Sequence, residues 1–171
     1  MITRPATTEF AAYYGRYIEL VKGDDVVPAL ERQISATLAL LRGLTEAQGN
    51  HRYEPDKWSI KEVVGHVIDA ERIFAYRALR IGRNDQTPLA GFEQDGYVTN
   101  ANFDGAALAD LAGELELVRE SNLAMFRQFS PEAWQRQGTA SEHPVSVRAL
   151  AYIIAGHELH HVALLRTRYL Q

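Results

Sequence analysis

Gly156-His157-Glu158-Leu159-His160-His161 places three histidines within five residues. In a helix, His157 and His161 stand one turn apart on one face, where two imidazoles can grip a single divalent ion. The surrounding pattern is helical. Ser146 supplies an N-cap, and Leu150, Ile153, Ile154, His157, His161, Leu164 and Leu165 share one side of a segment running from Val147 to about Tyr169. An apolar stripe carrying two imidazoles faces a core, so the pair points inward. Two nitrogens make an incomplete site, and the missing ligand has to come from a second helix. Fold and site are therefore read together.

Upstream, three more long amphipathic segments appear. Residues 7–21, rich in Tyr and Phe, read as a short helical arm ended by Gly23-Asp24-Asp25. A first full helix runs from about Val27 to Arg42, with Pro28 in its first turn and Leu30, Ile34, Leu38 and Leu41 as its stripe. The second has a capping box, Ser59-Ile60-Lys61-Glu62, and carries Val63, Val67, Ala70, Phe74 and Leu79 on to about Ile81. Gly82 to Phe103 is a connection of about 22 residues, longer than antiparallel neighbours need. Asp104 is placed to cap a third helix bearing Leu108, Leu111, Leu115, Val118, Leu123 and Phe126. A second link follows, with a short turn expected around Glu132 to Arg136. No alternating β-rich segment or repeat competes. The expected fold is all-α: one domain over residues 1–171, a four-helix bundle with a long crossover between helices two and three and a short N-terminal helical arm.

Composition excludes several classes. An apolar fraction of 46% and a charged fraction of 23% are those of a globular chain. A net charge of −4 with no Lys/Arg run gives no footprint for nucleic acid or an anionic membrane. The absence of cysteine removes disulfides, thiolate metal sites and cysteine nucleophiles. With neither a signal-like apolar stretch at the N-terminus nor a run of about 18 apolar residues, a soluble cytoplasmic protein is expected.

Of the six histidines, His51 and His143 fall in connections beside Asn50 and Pro144 and are expected in solvent. His66 sits on the second helix on the turn of Val63, Ala70 and Ile73, and so points inward. It lies seven residues from Ser59, about 10 Å along the axis, while His161 lies eight residues before Tyr169, about 12 Å from that end. These depths match if helices two and four run antiparallel. A parallel pair would hold the rings roughly 16–22 Å from the corresponding end. An antiparallel pair needs one long crossover, and the link after helix two provides it. The expected ligands are His66, His157 and His161. Three neutral imidazoles leave a position for water or substrate, as catalytic sites do, and ligands near pKa 6.5 would release the ion through roughly pH 6–5.

His160 is feasible as an i, i+3 partner of His157, but its angular position puts it at the helix edge, beside the site or at the surface. Asp69, one turn beyond His66, is a candidate to orient an imidazole or act as a base. Glu62 has the mirror position but is committed to capping. Tyr53, Trp58 and Phe103 are candidate pocket walls, with plain packing at the bundle end as the competing role. His157-Glu158-Leu159-His160-His161 also fits H-E-x-x-H, in which the glutamate is the general base of a zinc protease. No downstream Gly and His follow, and no sheet frames a peptide, so protease chemistry is not expected.

With these residues placed, the chain resembles the DinB-like superfamily, in the branch of YfiT-like metal-dependent hydrolases. The matching residues are Lys57-Trp58-Ser59-Ile60-Lys61-Glu62-Val63-Val64-Gly65-His66-Val67-Ile68-Asp69-Ala70-Glu71-Arg72, then Pro88-Leu89-Ala90-Gly91-Phe92-Glu93-Gln94-Asp95, and Gly156 to His161. The resemblance implies a zinc- or nickel-type ion on residues matching His66, His157 and His161, often in a homodimer. It also implies activities ranging from hydrolysis to S-transfer and isomerisation with a low-molecular-weight thiol. Val162-Ala163-Leu164 stands where the common ending has Arg-Gly-Gln, which leaves the substrate open. Two functions remain: a metal-dependent hydrolase or small-molecule thiol S-transferase, and a non-catalytic, stress-linked metal-binding bundle.

Overall fold

The computed structural model describes residues 1–171. Four long helices form the bundle: α2 (Val26–Arg42), α4 (Ile60–Gly82), α6 (Leu108–Arg127) and α8 (Val147–Leu164). Four short ones lie between and before them: α1 (Gly15–Ile18), α3 (Glu46–Gly49), α5 (Gln94–Asn100) and α7 (Pro131–Gln135). No helix is long and apolar enough to cross a membrane.

Cross-helix contacts give the directions. Tyr169 Oη donates to Trp58 O at 2.8 Å, and Arg136, just ahead of α8, bonds Gly82 O at the far end of α4. So α4 and α8 are antiparallel. Leu108 N meets Glu46 beside the start of α4, while Phe129, past α6, packs on Gly82, so α4 and α6 are parallel. Gln33 Nε2 reaches Ala155 O at 2.9 Å and Thr37 reaches Glu158, so α2 and α8 are parallel too. The segment from Arg83 to Ala107 is the crossover that makes this arrangement possible. The capping box is in place: Glu62 N donates to Ser59 Oγ at 3.1 Å and Ser59 N to Glu62 Oε2 at 2.7 Å.

Several expectations need correction. The crossover is not bare loop: α5 and a 3-10 turn at Phe103–Gly105 occupy it. Asp104 does not cap the third helix. It accepts from Ser59 Oγ and Arg52 Nη2, both at 2.5 Å, and so ties the crossover to the start of α4. The first amide of α6 is satisfied instead by Glu46 Oε1 at 2.7 Å, from α3. The link before α8 contains a hairpin, β1 (Gln137–Ala140) with β2 (His143–Ser146), closed by Ser141 and Glu142 at φ 50° and 66°. Four-residue strands are too short to show alternation, and Ser-Glu is not the Asn-Gly that flags such a turn. The last helix leaves α geometry at Leu164 and ends in a π turn, Leu165–Tyr169. The N-terminal arm is two 3-10 turns followed by α1.

Two apolar clusters fill the bundle. One gathers the arm, the hairpin, the C-terminal half of α4 and the N-terminal half of α8; the other joins α2, α4, α6 and Tyr169 at the opposite end. Between them runs a polar layer. Arg119 of α6, fully buried, grips Glu71 of α4 with Nε and Nη2 at 2.7 and 2.8 Å, and gives Nη2 to Glu158 of α8 at 2.8 Å. Its Nη1 donates to Leu30 O of α2 at 3.1 Å, and Thr37 Oγ1 donates to Glu158 at 2.5 Å. All four helices meet at this guanidinium, whose donors are matched because a buried charge without partners is costly.

Candidate metal centre

His66 comes from α4, and His157 and His161 from α8, through the antiparallel contact of the two helices. His66 Nε2 and His161 Nε2 each lie 3.1 Å from His157 Nε2. The three nitrogens all fall within 4.8 Å of one another. The residues are 3%, 6% and 8% exposed, so the cluster is inside the bundle.

A neutral imidazole nitrogen carries either one proton or one in-plane lone pair. His157 Nε2 can therefore make one well-aligned hydrogen bond, not two. Without a cation, one of the two 3.1 Å contacts is left poorly aligned. A single ion accepting all three lone pairs removes the conflict. Two bonds of about 2.0–2.1 Å at a tetrahedral angle hold their nitrogens about 3.3 Å apart, close to the separation seen. The donor set and its spacing fit a divalent ion.

Electrostatics act the same way. Burial pushes His66 down to about 4, against a smaller upward pull from Asp95. Burial, with His66, His160 and Arg16 nearby, pushes His161 down to about 3. His157 lies well below the ordinary imidazole range, first through burial and then through His161 and His66. All three are held neutral at physiological pH, the form that ligates. One atom lacks support: His161 Nδ1 is buried without a hydrogen-bond partner, so nothing fixes that ring by its far nitrogen.

Aromatic side chains close the surroundings. Tyr17 and Phe74 stand edge-on to His157 at 5.3 and 6.2 Å between ring centres, and Trp58 lies 5.0 Å from His66. Tyr17 is held by an unusual approach. A Cβ on Gly156 would lie 1.9 Å from Tyr17 O, so only glycine lets the arm settle on α8 one residue from His157. A cavity of about 220 Å³ opens on His66 and His157, between the arm (Tyr13, Tyr14, Tyr17) and the crossover (Phe92, Glu93, Gln94).

The other sequence candidates fall as follows. His160 is half-buried, edge-on to Tyr17 at 5.3 Å, and outside the converging trio. Asp69 turns toward Arg72 and Glu114 on the α6 side, and burial raises its carboxyl. Tyr53 packs edge-on to Tyr169 at 4.8 Å, and Phe103 covers Gly65. Neither they nor Trp58 line the cavity on His66, although Trp58 backs that ring. His51 lies against Tyr169, and His143 begins β2 in solvent. The walls that sequence reasoning missed are the arm tyrosines and the Phe92–Gln94 segment. Their signal was the density of Tyr13-Tyr14-Gly15-Arg16-Tyr17, but periodicity does not say where an arm docks.

A four-helix bundle whose middle pair is parallel, with three imidazoles converging between antiparallel helices, defines a class of helical proteins with a candidate metal site. A family model of the DinB superfamily matches residues 29–165, and the chain belongs to that superfamily. Among solved structures, YfiT from Bacillus subtilis, described as a probable metal-dependent hydrolase with an unusual four-helix bundle topology, superposes with TM-score 0.69. It is 15% identical, over 95% of this chain and 91% of that one. The mycothiol-dependent maleylpyruvate isomerase superposes with TM-score 0.67 at 12% identity, over 80% of this chain. This chain spans 58% of that protein. At these identities the likeness is one of fold. A search of curated proteins matches none of them.

Proposed function

We propose that this protein is a divalent-metal-dependent enzyme acting on a small molecule, with His66, His157 and His161 as the ligands. The carrying observation is access: two of the three converging residues, His66 and His157, line the wall of a cavity rather than sealed core. A closed structural site has no use for such an opening, whereas a catalytic one keeps a coordination position free. A zinc- or nickel-type ion there supplies Lewis-acid activation of a water or of a small-molecule thiol. The chain's own part is to keep the imidazoles neutral and to exclude bulk water with Tyr17, Phe74 and Trp58. The probable hydrolase activity of YfiT supports hydrolysis, and the mycothiol dependence of the isomerase supports S-transfer chemistry with a low-molecular-weight thiol.

Elemental analysis of untagged protein, then ester-hydrolysis and thiol-transfer screens with and without chelator, tests this reading. One ion per chain and a chelator-sensitive turnover support it. An ion without turnover in either screen favours the second reading, a non-catalytic bundle in which the ion pins α4 to α8. The homodimer belongs to the proposal as well. Exposed Tyr76, Leu79 and Leu117 on the α4–α6 face support it, and light scattering in solution tests it.

A further inference from the structure

A second cavity, of about 260 Å³, adjoins the first. Tyr13, Tyr14 and Phe74 line both, and Tyr14 meets Phe74 edge-on at 5.8 Å as the partition between them. Its walls are mostly apolar, with Leu150, Ile153 and Val145 prominent, and one charged group stands among them: Arg77 of α4.

Arg77 is 3% exposed and takes part in none of the chain's ion pairs. Its hydrogen bonds come from Nη2 alone, to Ala90 O at 2.8 Å and Ser141 Oγ at 3.1 Å. The guanidinium carbon lies 5.7 and 5.8 Å from the Phe74 and Phe92 ring centres. Arg119 shows how this protein treats an arginine buried for structure: two carboxylates meet it. Arg77 has a carbonyl, the Ser141 and Tyr14 hydroxyls and aromatic faces around it, which leaves a positive charge with no carboxylate beside it. A buried cation in this state is costly unless an anion completes it. A planar fork between aromatic rings suits a carboxylate.

We propose that Arg77 is the anion-binding end of the substrate site, so that the substrate is a small carboxylate. Its acid group pairs with Arg77, its apolar body rests on Phe74, and its reacting group reaches the histidine cavity. Phe74 makes the reach short, since its ring is 5.7 Å from the guanidinium carbon and 6.2 Å from the His157 ring. This inference rests on the enzyme reading above, but its test does not need the ion.

The test is calorimetric binding of benzoate against benzamide, and hexanoate against hexanamide, to metal-loaded and chelator-stripped protein. The acids should bind at least about tenfold tighter than their amides in both forms, since a neutral amide leaves the buried charge unmet. Arg77→Met should abolish that preference, while Arg77→Lys keeps it in weakened form. Acid and amide binding alike, or no acid binding to folded wild-type protein, overturns the proposal. Wild-type discrimination decides if Arg77→Met does not fold. Acid preference in protein that never takes up metal would keep this inference and remove the metal-enzyme reading.

Discussion

Glu158, one residue along α8 from His157, is held by Arg119 at 2.8 Å in the centre of the bundle. The glutamate of the H-E-x-x-H string is therefore a core tie rather than a base. It faces away from the cavity on His66 and has its carboxylate filled by Arg119 and Thr37. One turn of helix carries two different jobs: the His157 imidazole toward the cavity, the Glu158 carboxylate toward the ion cluster.

Removing Arg119 should be severe. Arg119→Met leaves Glu71 and Glu158 buried without a cation, which costs about 3–5 kcal/mol. Adding Glu71→Gln and Glu158→Gln to that variant should restore much of the loss. Urea unfolding of the single and triple variants checks both expectations.

Metal content separates the histidines. His66→Ala or His157→Ala should reduce bound ion to background by elemental analysis, and His160→Ala should keep it. Full stoichiometric metal in the first two would end the three-histidine assignment.

Acid should destabilise the metal-free protein in a defined window. Unfolded histidines titrate near 6.5, while folded His66 sits at about 4 and His161 at about 3. Between these values the unfolded chain binds more protons, so stability is fully present above pH 6.5 and falls as pH drops toward the folded values. His66 alone accounts for about 3 kcal/mol across this window. Proton competition for the ligands also starts lower than for free imidazoles, so ion release should move from pH 6–5 down toward pH 4. Thermal melts and metal content measured from pH 7 to 4 check the slope and the release point.

Gly156→Ala should lift the arm. The new methyl meets backbone at Tyr17, not a side chain that can swing away, and overpacking of this kind costs about 1–3 kcal/mol. Limited proteolysis within residues 7–21 should become faster while the α-helical circular dichroism stays. Unchanged protection would mean that the arm tolerates the shift.

Much of the architecture was readable because helices announce themselves locally. Ser59 and Glu62 cap α4 as their spacing implies, and the matched depths of His66 and His161 required antiparallel helices and a crossover. What stayed hidden depends on contacts between distant segments. Asp104 has the residue type of a cap, yet Glu46 satisfies α6 and frees Asp104 to bond Ser59 and Arg52. Arg119 looks like a surface charge on α6 until Glu71 and Glu158 are brought to it. Tyr17 reaches His157 only because Gly156 admits its carbonyl, a steric fact with no periodic trace.

The 91-residue separation of His66 and His157 also bears on kinetics. An ion held by both would close a loop as long as a distant disulfide does, and such clips act by restricting the open chain. His157 and His161 are neighbours in any helical fragment, so they are available before the bundle assembles. His66 joins only after α4 has docked across the crossover. Of the three ligands it should be the last to engage during folding and the first to let go during unfolding, which makes the α4–α8 seam the step that sets how long an ion stays.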